Sequence, residues 1–157
     1  MEFNWLDGFV EAEYYAAGVR LRVGERPPAQ VRALAPAGGL VTAWNPWGER
    51  CDEAANRQAD ARLQARLRAL ALPHWPGRCR SPDGRWDEPG WLLGIADTAA
   101  LDALADAFGQ RGVLAWAVGR EARLRLYPRL DETAPQSTRL TRVMDTPFCD
   151  WVACPRP

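Results

Sequence analysis

Apolar and polar positions along this chain change period several times, and each change marks an element. Asn4 can cap a short helix with Trp5, Leu6, Phe9 and Val10 on one side. Val19-Arg20-Leu21-Arg22-Val23 alternates with period two, the signature of a half-buried strand, and Gly24 ends it. Pro27-Pro28 opens a short helical stretch to Leu34, because proline is tolerated in a first helical turn. Pro36-Ala37-Gly38-Gly39 reads as a turn. Leu40 to Trp44 is apolar on both faces except at Thr42, as a central strand would be, and Asn45-Pro46-Trp47-Gly48 breaks it.

The longest helix is expected from about Asp52 to Leu72, with Leu63, Leu67 and Leu70 at i, i+4 and i+7, and Pro73 closes it. His74 to Pro89, rich in Pro, Gly and Arg, reads as a structured loop with at most one short strand. Trp91 to Ile95 follows as a strand. Asp97 then caps a helix with Leu101, Leu104, Ala105 and Phe108 on one stripe, stopped by Gly109. Val113 to Val118 and Glu121 to Leu126 make a hairpin around Gly119-Arg120. These elements predict an α+β fold: a single mixed β-sheet with three to four packed helices and a C-terminal hairpin. The chain is expected to be one domain over 1–157, with 128–157 an extension that wraps the body.

Composition narrows the function classes. The chain has 157 residues, with 20 acids against 20 bases, and every base is arginine. Zero net charge removes the usual footprint of a nucleic-acid or membrane-surface binder. No window reaches the ~18 apolar residues of a membrane span, and the N-terminus lacks the basic start and apolar run of a signal peptide, so a cytoplasmic location is expected. His74, Cys79, Cys149 and Cys154 have the chemistry of zinc ligands but match no familiar spacing; ordinary reduced thiols are the expectation, with no metal and no cofactor.

Thr42-Ala43-Trp44-Asn45-Pro46 at a strand end, Asn56-Arg57 on the long helix, Trp86-Asp87-Glu88-Pro89 and Phe108-Gly109-Gln110 stand in an order that resembles the bacterial domain of unknown function family 3293. The resemblance covers roughly Tyr14 to Tyr127 and departs at Gly90, where the family pattern tends to place serine. It implies a small bacterial cytosolic protein and no established activity.

The polar residues each carry two readings. Asn45 is either turn chemistry or, with the N-terminus of the following helix, a ligand cradle at a strand end. Asn56 lies seven residues before Leu63, about 20° away on the helical wheel, so it points inward with the apolar stripe. Its amide then meets either the Asn45-Pro46 turn or a ligand. Glu88, between Trp86 and Trp91, is a desolvated general acid or base, or a carboxylate paired with Arg57 or Arg85. Gln110 satisfies carbonyls at a helix end or joins the site, and His74 reads as an exposed loop histidine. Two functions follow. One is a non-enzymatic interaction or regulatory module that docks a protein partner, or itself, through Trp47, Trp75, Trp86 and Trp91. The other is a site for a small anionic ligand or nucleotide, with or without catalysis, lined by Asn45, Asn56, Arg57, Glu88 and Gln110, where Arg57 grips the anion.

Overall fold

The computed structural model describes residues 5–127 and 148–152. Eight strands form one mixed sheet: β1 (Glu13–Ala16), β2 (Val19–Leu21), β3 (Gly38–Val41), β4 (His74–Arg80), β5 (Asp87–Gly94), β6 (Gly112–Trp116), β7 (Arg123–Leu126) and β8 (Cys149–Trp151). Their order is β2-β1-β4-β5-β3-β6-β7-β8, antiparallel except for the parallel β7–β8 pair. Four α-helices accompany it: α1 (Trp5–Glu11), α2 (Ala29–Leu34), α3 (Glu53–Ala69) and α4 (Thr98–Ala107). The α+β expectation and its hairpin, β6 with β7, are observed. No helix among the described residues is long and apolar enough to cross a membrane.

Strand alternation divides the core in two. Leu40, Leu92, Leu114 and Trp116 face one side, with Val31 and Ala35 at α2 and with Tyr14, Leu21, Leu124 and Leu126 from the flanking strands. Val41, Leu93, Val113 and Ala115 face the other, against Ala59, Leu63 and Leu67 of α3 and Leu101, Leu104 and Ala105 of α4. The first core draws on β1 and β2 as well as on β7, so the sheet curves around it. Reciprocal backbone bonds seal that curve, Gly24 N–H to Ala122 C=O and Ala122 N–H to Glu25 C=O, each 2.8 Å. Since β3 lies between β5 and β6 with both faces covered, its residues are apolar without alternation.

Several boundaries differ from the sequence reading. Gly38 and Gly39 are the first residues of β3 rather than a turn, because neighbours crowd them: a Cβ on Gly38 would lie 2.4 Å from the Leu93 carbonyl oxygen. The strand ends at Val41, where Thr42 turns its hydroxyl to donate to the Pro89 carbonyl (2.8 Å). His74–Pro89 is no loop: β4 and β5 pair antiparallel from His74↔Leu93 to Arg80↔Asp87. Its prolines sit where a ladder partner is missing, Pro76 beyond the last β1 pair at Gly77 and Pro89 beyond the last β3 pair at Trp91. No local pattern marks β1, and Cys149–Trp151, expected as part of the tail, forms β8 and extends the sheet. Val10 and Leu70, assigned to apolar stripes, are 40% and 44% exposed. Leu70 is the C-cap of α3 and Ala71 turns left-handed (φ 52), so the stripe ends at Leu67. Asn4 and most of the 128–157 tail, Cys154 included, lie outside the described residues.

Candidate functional site

Beyond the end of β3 the chain makes a tight turn with Asn45 (φ 47) and Trp47 (φ 62) both left-handed. Asparagine tolerates that conformation and a bulky residue rarely adopts it, so surrounding bonds must hold the turn. Trp47 N–H donates to the Gly109 carbonyl at 2.6 Å. The Asn45 N–H donates to Asn56 Oδ1 at 2.8 Å. Asn56 Nδ2 in turn donates to Asn45 Oδ1 (3.0 Å) and to the Cys51 carbonyl (3.3 Å), while Cys51 N–H donates to Asn45 Oδ1 at 3.0 Å. Asn56 is only 3% exposed and sits on the buried face of α3 with Ala59, Leu63 and Leu67. Helical periodicity therefore places its amide inward, and the turn meets it.

Glu88 joins this network from β5. Asn45 Nδ2 donates to its Oε1 at 2.8 Å. Neither Arg57 nor Arg85 pairs with it, contrary to the expected ion pairs. Burial pushes the Glu88 carboxyl from its ordinary 4.5 up to about 7, against the Asn45 hydrogen bond and the Arg50 charge, which both hold it down. On the same row of the sheet, Cys79 opposite Glu88 is pushed up to about 12 by burial and by the Glu88 charge. Tyr14, opposite Cys79, is raised by burial too.

A cleft of about 220 Å³ opens beside this joint, with Trp44, Asn45, Arg50, Asn56, Trp86 and Asp87 in its wall. Arg50 lies over the Trp86 ring, 4.5 Å from its centroid, and donates through Nη2 to the Arg85 carbonyl at 2.7 Å. Arg50 is one more arginine in an arginine-rich chain, and its place two residues after the Trp47-Gly48 turn is its one local signal. The buried Trp44 indole N–H has no hydrogen-bond partner among the described residues.

The remaining candidates divide. Gln110, 6% exposed, donates to the Trp44 carbonyl (3.3 Å) and the Phe108 carbonyl (3.2 Å), tying the α4 end to the strand end behind the cleft. Arg57 lies on the outer face of α3, 73% exposed and paired with Glu53, because it is one residue round the helix from Asn56. It is not among the residues that line the cleft described above. At the expected helix N-terminal cradle, Asp52 Oδ1 takes the Ala55 N–H at 2.7 Å, and the Asn56 N–H makes the first intrahelical bond to the Asp52 carbonyl. Of the four loop tryptophans, Trp75 and Trp91 are strand residues. Trp75 packs on the first core, and Trp91 Nε1 donates to Asp60 Oδ1 at 2.9 Å. Trp47 and Trp86 are half-buried. His74 is in β4 rather than an exposed loop, half-buried, edge-on to Trp91 at 5.3 Å and bonded through Nδ1 to the Leu72 carbonyl.

Comparison with known proteins adds one finding. A family model described as protein of unknown function (DUF3293) matches residues 41–113. Over that segment the chain is similar to DUF3293. That segment is narrower than the resemblance from Tyr14 to Tyr127, yet it contains Asn45, Arg50, Asn56, Trp86, Glu88 and Gln110. The DUF3293 match thus takes in both sides of the cleft and leaves β1, β2, β7 and β8 outside. No curated protein and no solved structure matches the chain.

Proposed function

We propose that this protein binds a small molecule in the cleft beyond the end of β3, with Asn45 and Asn56 of the Asn45–Asn56–Glu88 joint in its rigid wall. The observation that carries this reading is the joint itself. Two left-handed residues and a buried amide are held in one arrangement by five side-chain bonds and the Trp47 N–H bond to Gly109, directly beside a concavity of about 220 Å³. Strain and buried polar networks of this kind concentrate where geometry must be kept for binding. The described residues of the wall hold no nucleophile set against a base; the Cys51 thiol points at the Glu49 carbonyl, 3.6 Å away. Binding rather than turnover is therefore the reading. Docking of a protein through the loop tryptophans draws less support, because Trp75, Trp86 and Trp91 each spend their ring or N–H on this chain.

Cys51→Trp tests the proposal. Cys51 is exposed and lines the cleft, and its network bonds come from its backbone, so a large side chain fills the space and leaves the joint intact. Thermal-shift screening with nucleotides and acidic metabolites should find compounds that stabilise the native chain by mass action and lose that effect in Cys51→Trp. Equal shifts in both proteins, or none from any compound, contradict it.

A further inference from the structure

Hydrogen-bond and charge bookkeeping around the cleft identifies what its occupant must offer. Asn45 Oδ1 already accepts twice, from Cys51 N–H and Asn56 Nδ2, and both hydrogens of Asn56 Nδ2 have acceptors. Glu53 is paired with Arg57, which is outside the wall, and Asp87 is held by the fork of Arg78, also outside it. Arg85 lies 3.3 Å from Asp83. Arg50 is different. Its charge acts on the half-buried Glu88 across the turn, yet it makes no ion pair among the described residues, and of its five guanidinium N–H donors the Arg85 carbonyl takes one. Stacking on Trp86 fixes the plane of the group, so ordering it costs a ligand little.

We infer that Arg50, clamped between Trp86 and the Arg85 carbonyl, is an oxyanion receptor, and that the cleft takes the carboxylate or phosphate end of a small organic acid. The inference rests on the cleft reading above and narrows it to a ligand class. Carboxylate and phosphate share the chemistry that Arg50 recognises, paired oxygens accepting from one edge of the fork. The rest of the small molecule lies along the Asn45–Cys51 side, within the volume available.

Calorimetric titration of the full chain with malonate, with inorganic phosphate and with uncharged malonamide, all at one ionic strength, decides the matter. Binding of malonate or phosphate is expected, at least tenfold weaker in Arg50→Gln and unchanged in Arg120→Gln, a distant exposed arginine; the stronger of the two anions identifies the headgroup. Both substitutions are on the surface and leave the fold in place, which circular dichroism verifies. Anion binding that survives Arg50→Gln, or malonamide binding as tightly as malonate, overturns the oxyanion assignment while leaving the cleft standing. A chain that binds none of the three overturns the assignment and counts against the cleft as well.

Discussion

Glu88 is a half-buried carboxyl whose titration can be read directly from stability. With its carboxyl at about 7 in the fold and near 4.5 when unfolded, the native state holds a proton that the unfolded chain has released between those values. Its contribution is therefore greatest below 4.5 and is lost as pH rises through about 7, by about 3 kcal/mol at ~1.4 kcal/mol per unit. The groups that share this environment are Cys79 on β4, Tyr14 on β1, Asp87 beside it and Arg50 across the turn. Glu88→Gln keeps an acceptor for Asn45 Nδ2 and removes the charge. Urea unfolding at pH 5 and pH 8 should show wild type and variant alike at the lower pH, and the variant more stable by about 2 kcal/mol at the higher. Parallel curves would contradict the assigned burial. Asn56→Ala strands the Asn45 N–H and leaves Asn45 Oδ1 with one donor fewer. A loss of about 2–3 kcal/mol is expected, well above the ~0.5 kcal/mol of an ordinary surface change.

At the scale of elements, α3 and the β4–β5 hairpin carry the site between them, and they differ in how visibly the sequence announces them. The cap of α3 and its buried stripe are legible because periodicity and N-capping are local. Asp52→Ala, which removes the bond to Ala55 N–H, should cost about 1 kcal/mol in the same unfolding assay. The inward amide of Asn56 was legible for the same reason, and so was its meeting with the Asn45-Pro46 turn. The hairpin was not, since Pro76, Gly77, Pro89 and Gly90 speak locally for a loop. Only tertiary context reverses that: the prolines fall opposite missing partners, and the glycines admit close neighbours. A Cβ on Gly77 would lie 2.4 Å from Leu40 Cδ1, and one on Gly90 lies 2.5 Å from the Val41 carbonyl oxygen. Gly90→Ser should destabilise this backbone by about 1–3 kcal/mol, because the obstacle is main chain and cannot swing aside. A neutral Gly90→Ser would mean that the β3–β5 spacing differs from the one described. Arg50 was illegible for another reason. Its role follows from which carboxylates are already taken, and no sequence pattern records that.

For the whole molecule, one curved sheet separates two cores, and adjacent residues of β5 belong to different ones: Leu92 to the core under α2, Leu93 to the core under α3 and α4. Both are fully buried, so Leu92→Ala and Leu93→Ala should each cost about 2–5 kcal/mol and move one shared unfolding transition, followed by circular dichroism and fluorescence together. The cleft lies where this sheet meets α3, at the end of β3. Eight tryptophans provide indole reporters across the chain, with Trp44 and Trp86 at the cleft and Trp75 and Trp116 packed in the first core. Nitrogen–proton correlation spectra recorded during a malonate titration therefore show where on the molecule the anion binds. The indole signal of Trp86, the Nε signal of Arg50 and the side-chain amide of Asn45 are expected to shift together and saturate, while Trp75 and Trp116 stay in place. Saturable shifts centred on Trp75 or Trp116, or no saturable shift at the cleft, would contradict anion binding in the cleft.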